Sequence, residues 1–258
     1  MKRTLLALLL TLAVASAATA ASGKRPAPPG SFDGAPPEYT RFSAAEITRG
    51  FLALAFGSDL RIGAAPRGIR RFDHPIKAQV ISAGSVDRSA AMRQVIEEYA
   101  REVPNLQLGL AGPGEAAEIE VRLIDEKDFK SALVAAFGAD IAKTFVERTD
   151  PQCMTSVKSD AGGAIVRSVS FVIVDQGDDV FLDCAYHELL HAFGLSSHDQ
   201  RNPWTTLNQD RLVGYLSVYD LALVTLLYDQ DIQPGMTSAR VRAALPGIIA
   251  RLGLATGR

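Results

Sequence analysis

Residues 187–199 decide how this chain folds, and they read His-Glu-Leu-Leu-His-Ala-Phe-Gly-Leu-Ser-Ser-His-Asp. On a helix, His187 and His191 stand one turn apart on the same face, so both imidazoles can reach one metal ion. Glu188 lies beside the first histidine, where its carboxylate can polarise a water molecule on that metal. The chain has four histidines, and three of them fall within this stretch. The clustering predicts a metal site, and zinc is the ion that suits such ligands.

The residues that follow His191 indicate where a third ligand would come from. Gly194 can end the helix with a positive φ, which allows the chain to turn back towards the metal. His198 then comes within reach, and we predict it as the third ligand. Asp199 follows directly and is the alternative ligand, because a carboxylate can also bind zinc. Histidines on an exposed helix without a metal are the other interpretation, which the glycine and the third histidine disfavour.

The two cysteines of the chain, Cys153 and Cys184, predict a disulfide. An exported protein meets an oxidising compartment, where such a pair forms a bridge; two buried thiols are the alternative. Cys184 precedes His187 on the same predicted helix, so a bridge would fix the start of the metal-binding helix. Closing a loop of this length would restrain the unfolded chain by about 3–4 kcal/mol.

The first forty residues predict an export signal followed by a linker. The chain begins Met-Lys-Arg, continues with an uncharged apolar run over residues 5–15, and then shows small-x-small cleavage motifs. We therefore expect a signal peptide over residues 1–20 and a protein that is periplasmic or secreted; an uncleaved amphipathic start is the alternative. Residues 21–40 are rich in Gly, Pro, Ser and Ala and predict a flexible linker. No later segment has the length of a membrane span, so we expect no stable membrane insertion after cleavage.

Residues 41–258 predict one domain in two lobes. The order of elements is helix, strand, helix, strand, strand, helix, strand, metal-binding helix, and then a smaller, mostly helical end. This order predicts the α+β class, with an α/β-like upper lobe to about residue 195 and a lower lobe over residues 196–258. The strand predicted over residues 162–175 is nearly all apolar after Ser168, as a strand buried on both faces would be.

The composition argues against a nucleic-acid partner. The formal net charge is −2, from 27 Lys and Arg against 29 Asp and Glu. The basic residues are scattered, and no aromatic residues alternate with them as a stacking surface. The glycine cluster at residues 109–114 is a turn rather than a phosphate loop, because no Gly-Lys-Ser/Thr follows it.

The motifs around the metal site resemble the metzincin clan of zinc endopeptidases. The clan signature is H-E-x-x-H-x-x-G-x-x-H, followed by a methionine-containing turn, and its first positions are matched by His187, Glu188, His191 and Gly194. The third histidine position of the clan is Ser197 in this sequence, and His198 comes one residue later. Leu207, within residues 205–208, stands where the methionine turn would fall; Met236 is the other candidate. The chain also resembles an uncharacterised family of exported bacterial metzincin-like proteins.

The resemblance implies the α+β metzincin fold, with a mixed sheet and an active-site helix. It also implies an exported zinc metalloendopeptidase that acts on peptide or protein substrates. In that function Zn²⁺ is held by three histidines and activates a water, with Glu188 as the general base. A catalytically weak or inactive protein that binds a metal or a peptide is the alternative, and a hydrolase of other amides, such as those of the cell wall, is a third.

Two further expectations concern how a substrate would be held. The resemblance implies that the Ile165–Val174 strand is the sheet edge along which an extended peptide pairs. Tyr215 or Tyr219 could donate a hydrogen bond to the oxyanion that develops during hydrolysis. A packing role inside the protein is the other interpretation of each tyrosine.

Overall fold

The computed structural model describes residues 24–57, 66–140, 142–143 and 152–255. The predicted signal peptide, residues 1–20, lies outside the described residues. The strands are β1 (Lys24–Arg25), β2 (Glu38–Tyr39), β3 (Ile76–Ser82), β4 (Leu108–Leu110), β5 (Ile119–Ile124), β6 (Cys153–Ser159) and β7 (Ile165–Ile173). The helices are α1 (Ala44–Phe56), α2 (Ser89–Glu102), α3 (Glu126–Phe137), α4 (Asp178–Phe193), α5 (Val218–Leu227) and α6 (Ser238–Leu252).

A five-stranded mixed sheet in the order β4-β3-β5-β7-β6 contains all the strands from β3 to β7. The pairs β3–β4, β3–β5 and β5–β7 are parallel, whereas β6 is antiparallel to β7. Apolar residues alternate with polar ones along β5, and Ile119, Val121 and Leu123 are all buried. The sheet and its helices confirm the predicted α+β class.

The position of β7 corrects the expectation that this strand is the sheet edge. Its backbone pairs with β5 on one side and with β6 on the other, so its hydrogen-bonding groups are used within the sheet. An interior position is consistent with its nearly all-apolar second half, because such strands are buried on both faces. The last strand on this side of the described sheet is β6. Its residues are mostly half-buried, and its sequence lacks the clear alternation of apolar and polar residues that is typical of a strand.

Helices cover both faces of the sheet. The helix α4, which carries His187 and His191, lies on one of these faces. The side chains of Leu189 and Phe193 are fully buried between α4 and its neighbours. Tyr99 of α2 packs edge-on against Phe193, with ring centroids 5.2 Å apart, and donates to the carbonyl of Tyr186 at 3.0 Å. On the opposite face, α3 forms a smaller apolar cluster with β7. The helix α4 is therefore held by packing along its length.

The helix α1 packs against α5 and α6, which are distant from it in sequence, and the three helices form one layer. A capping box begins α1: the Ser43 hydroxyl accepts from the Glu46 N–H at 3.2 Å, and the Glu46 carboxylate accepts from the Ser43 N–H at 2.8 Å. Apolar residues of α1, such as Phe51, are buried in this layer.

Among the described residues, no helix has the length and apolar character needed to cross a bilayer.

Part of the predicted linker, residues 21–40, contacts the domain. The Glu38 carboxylate is buried and accepts a hydrogen bond from the Val218 N–H at 2.7 Å, at the start of α5. Tyr39 stacks on Trp204, with ring centroids 5.4 Å apart. These contacts fix the end of the segment, because a buried carboxylate requires a donor and an aromatic pair contributes apolar contact.

The predicted disulfide is confirmed between Cys153 and Cys184, whose Cα atoms lie 5.8 Å apart. It joins the first residue of β6 to the middle of α4. The last strand of the described sheet and the helix that carries His187 and His191 are therefore covalently linked.

Removing this disulfide should lower the stability of the protein. We expect the Cys153→Ser/Cys184→Ser double variant to lose about 3–4 kcal/mol of unfolding free energy, because the unfolded chain regains the freedom of the closed loop. Denaturant unfolding of both proteins, with and without a reducing agent, measures this difference. The stability of the variant should not respond to the reductant. If the variant were as stable as the disulfide-bonded wild type, the prediction would be contradicted.

Candidate metal centre

Three imidazole nitrogens converge at the end of α4. The Nε2 atom of His187 lies 3.0 Å from that of His191 and 3.0 Å from that of His198, and the last two are 3.2 Å apart. His187 is buried, whereas the other two rings are half-buried, so the cluster is open on one side. In the part of the chain that the structure describes, this is the one such group that could hold an ion.

The spacing fits a tetrahedral zinc ion. Zinc–nitrogen bonds of about 2.0–2.1 Å set tetrahedral ligand nitrogens about 3.3–3.4 Å apart, slightly more than the separations observed here. A cation would also relieve the electrostatic cost of this arrangement, because nitrogen lone pairs that face one another at this distance repel. Three ligands leave the fourth position open, as in catalytic zinc sites.

The turn at the end of α4 brings the third histidine to the first two. The helix ends at Gly194, whose φ is +123°, as the sequence predicted. A Cβ atom at this position would lie 2.0 Å from the carbonyl oxygen of Arg70, so only glycine fits. Beyond the turn, the N–H of Ser196 donates to the carbonyl of Leu54 at 2.8 Å, which anchors the returning chain on α1. His198 reaches the cluster despite its displacement by one residue from the metzincin position.

Backbone carbonyls hold two of the rings in the orientation that a metal requires. The Nδ1–H of His187 donates to the carbonyl of Thr206 at 2.7 Å, and that of His191 donates to the carbonyl of Leu195 at 2.5 Å. A proton on Nδ1 leaves the Nε2 lone pair available, so these bonds select the ligand tautomer. Burial, followed by the neighbouring histidines, holds the pKa of His187 well below its usual value, which keeps the ring neutral.

Glu188 lies beside the cluster with one carboxylate oxygen unused. Its Oε1 atom is 3.9 Å from the His187 Nε2 atom, and its side chain is 4% exposed. Its Oε2 atom is buried and has no hydrogen-bond partner among the described residues. Burial raises the pKa of Glu188 to about 8 in the chain alone. A bound cation would favour the charged carboxylate, as a nearby opposite charge does.

Asp199, the alternative third ligand, is not part of the described cluster, and its carboxylate binds Arg201. Its Oδ1 atom accepts hydrogen bonds from the Arg201 side chain at 2.8 Å and from the Arg201 N–H at 3.2 Å. Its own N–H donates to the carbonyl of Leu207 at 3.0 Å. The structure therefore brings His198 to the other two histidines, and Asp199 helps to fix the loop beside it.

The predicted methionine-turn equivalent, residues 205–208, is buried and joined to both sides of the cluster. Thr206 contacts His187 through its carbonyl, and Leu207 contacts Asp199 as described above. Leu207 itself is fully buried. The other candidate, Met236, follows α5, and its carbonyl accepts from the Ile69 N–H at 2.9 Å. The 205–208 turn is therefore the one that supports the histidines.

The two tyrosines considered as oxyanion donors have other partners. The Tyr215 hydroxyl donates to the carbonyl of Pro36 at 3.1 Å, and the Tyr219 hydroxyl donates to the carbonyl of Glu46 at 3.4 Å. Burial raises the pKa of Tyr219 to about 12. Both therefore have the packing role that the sequence left open.

Sequence reasoning missed two buried carboxylates, Asp183 and Asp220. Asp183 precedes His187 by one helical turn, and its Oδ1 atom accepts from the N–H groups of Val213 at 2.6 Å and Gly214 at 3.3 Å. It thereby connects α4 to the loop before α5. The position of Asp183, on the same helix face as His187, was a signal in the sequence that this acid could contribute to the site. Its partners are distant in sequence, so they could not be predicted.

The identity of the third ligand can be tested by two substitutions. We expect His198→Ala to weaken zinc binding by more than about 100-fold, because removal of a ligand exceeds the 10–100-fold typical of an outer partner. Asp199→Asn retains the shape of the loop and should change the affinity by less than about tenfold. Competition against a chelator measures both, and a larger loss for Asp199→Asn would make Asp199 the ligand.

Asp183 should make stability depend on pH. Burial raises its pKa from 3.8 to about 7, so the folded chain binds more protons than the unfolded chain between these values. The free energy of unfolding contributed by this group therefore falls as the pH rises from about 4 to about 7. Asp183→Asn retains an oxygen acceptor without a titrating group, so its stability relative to the wild type should be greater at pH 8 than at pH 5. Urea unfolding with a chelator present measures this, and a constant difference would contradict it.

The comparisons with known proteins give a family but no activity. No curated protein matches the chain. A family model described as a protein of unknown function (DUF2927) matches residues 44–247, which include every element from α1 to most of α6. Because the match covers most of the sequence, the chain belongs to the DUF2927 family.

Proposed function

We propose that this protein is an exported, zinc-dependent metallopeptidase that hydrolyses peptide bonds. The observation that carries the proposal is the convergence of three Nε2 atoms within 3.2 Å of one another, beside the buried carboxylate of Glu188. Such a ligand set with an adjacent acid is the arrangement of zinc hydrolases. The fixed tautomers of two rings add to this support, because the ligand atoms are already oriented.

His187, His191 and His198 would hold the ion. When bound, zinc would supply a Lewis acid that polarises the attacking water and the scissile carbonyl. The open side of the cluster lies where the half-buried rings reach the surface. The protein therefore provides both the ligands and an approach for a substrate.

Glu188 would move the proton. Its Oε2 atom has no partner among the described residues and can accept a proton from the attacking water. The same oxygen can then donate that proton to the leaving amine. Because the carboxylate is buried beside His187, it remains close to the reacting groups and is shielded from bulk water.

The strand β6 would position an extended peptide substrate. It is the last strand of the described sheet on the side of α4, and the Thr155 hydroxyl donates to the carbonyl of Glu188 at 3.1 Å. A peptide that pairs with this edge would run beside the histidine cluster, by the mode in which a ligand adds a strand to a sheet. The disulfide at Cys153 holds the start of the strand on α4 and supports export into an oxidising compartment.

Glu188→Gln tests the general base. We expect the variant to retain one equivalent of zinc and to lose cleavage of denatured protein or peptide libraries by about 10²–10⁴-fold, because the amide cannot accept the proton. Glu98→Gln is the matched control: Glu98 accepts from the Tyr186 hydroxyl at 2.5 Å and should not affect cleavage.

Metal analysis and cleavage assays together decide the proposal. Zinc binding by a wild-type protein that cleaves no peptide would overturn the peptidase and leave a metal-binding role. Cleavage of cell-wall fragments but not of peptides would change the substrate class. Failure to bind zinc even after supplementation would reject the metal site.

A further inference from the structure

A fully buried carboxylate lies behind the histidine cluster, in the first turn of α5. Asp220 is 0% exposed, and its N–H donates to the hydroxyl of Ser217, the residue that caps this helix, at 3.0 Å. The carboxylate has no solvent contact, so its position depends on its hydrogen bonds. A buried carboxylate without such bonds would be strongly unfavourable.

Most of the described donors to this carboxylate belong to the 205–208 turn, and the hydroxyl of Ser217 is a further partner. One oxygen accepts from the Thr205 hydroxyl, and the other accepts from the Thr206 N–H at 3.0 Å and the Thr206 hydroxyl at 3.4 Å. The Thr205 hydroxyl also accepts from the Leu207 N–H at 3.1 Å, so its proton is directed to Asp220. The donors fit an acceptor with two oxygens, and they fix the backbone of the turn.

The turn transmits this constraint to a metal ligand. Thr206 is bound at both ends: its N–H donates to Asp220, and its carbonyl accepts from the Nδ1–H of His187 at 2.7 Å. If the turn shifted, the carbonyl would move away from the imidazole, and the ring could rotate or change tautomer. Partners behind a metal-binding histidine set its orientation and its basicity in this way.

We propose that Asp220 is a positioning residue for the metal centre, which holds the 205–208 turn so that Thr206 fixes the imidazole of His187. Asp220 touches neither the ion nor a substrate and acts through the turn. The proposal rests on the proposed function only in its zinc-binding part, since the orientation of the ring is a property of the chain itself.

Asp220→Asn tests this role without a change in side-chain size. Its amide group would place a donor against the Thr206 N–H or the Thr205 hydroxyl, so the turn would loosen. We expect zinc affinity to fall about tenfold, at the lower end of the range for outer partners. Competition against a chelator measures it. In the metal-free protein, the Nδ1–H resonance of His187, visible by NMR while the hydrogen bond is fixed, should broaden or disappear.

Asp229→Asn is the matched control on the same side of the molecule. Asp229 is a buried carboxylate just after α5, and it accepts from Arg251 at 2.9 and 3.0 Å. Its substitution should lower stability but leave both zinc affinity and the His187 resonance unchanged. Thr205→Val removes one donor to Asp220 and should show an intermediate effect, which keeps the test available if Asp220→Asn does not fold.

The outcomes separate this inference from the proposed function. Unchanged zinc affinity and an unchanged His187 resonance in a folded Asp220→Asn protein would overturn the positioning role, even if the wild type cleaves peptides. An equal effect of Asp229→Asn would also overturn it, because the loss would then reflect general stability. If the wild type binds no zinc, the proposed function fails, and the His187 resonance alone decides the role of Asp220.

Discussion

The chain reversal at Gly194 is the constraint on which the histidine cluster depends. A residue with a side chain could not adopt φ +123° without strain, and its Cβ would meet the Arg70 carbonyl. Because the helix stops here, the Leu195 carbonyl reaches the Nδ1 of His191, and His198 reaches the other rings. One backbone conformation thus completes the cluster of three histidines and fixes the orientation of His191, which is already on the helix.

Local patterns predicted the parts of the fold whose causes are local. The spacing of His187 and His191 and the end of their helix at Gly194 each depend on residues a few positions apart. The disulfide could be predicted because the chain has no other cysteines. The α+β class followed from the order of the predicted helices and strands. The helix with His187 and His191 and the elements around it could therefore be predicted from the sequence.

The rest depends on contacts between residues distant in sequence. The half-buried β6 becomes a strand because β7 offers it a partner, and its position makes β7 an interior strand. The end of the predicted linker is fixed because α5 presents the Val218 N–H to Glu38. Likewise, the partners of Asp183 and Asp220 come from loops whose course no periodicity reveals. The residue type shows that Asp183 and Asp220 are polar, but it does not show which groups they bind.

Three buried carboxylates on or near the helix α4 differ in how their oxygens are used. Asp183 and Asp220 accept from backbone and hydroxyl donors and connect loops to helices. Glu188 retains a buried oxygen without a partner among the described residues, at a cost in stability that a purely structural group would avoid. Unsatisfied polar groups in native proteins call for an explanation, and a catalytic role is one of them. The contrast separates Asp183 and Asp220, whose oxygens connect loops to helices, from Glu188, which keeps one buried oxygen without a described partner and is for that reason the general base in our proposal.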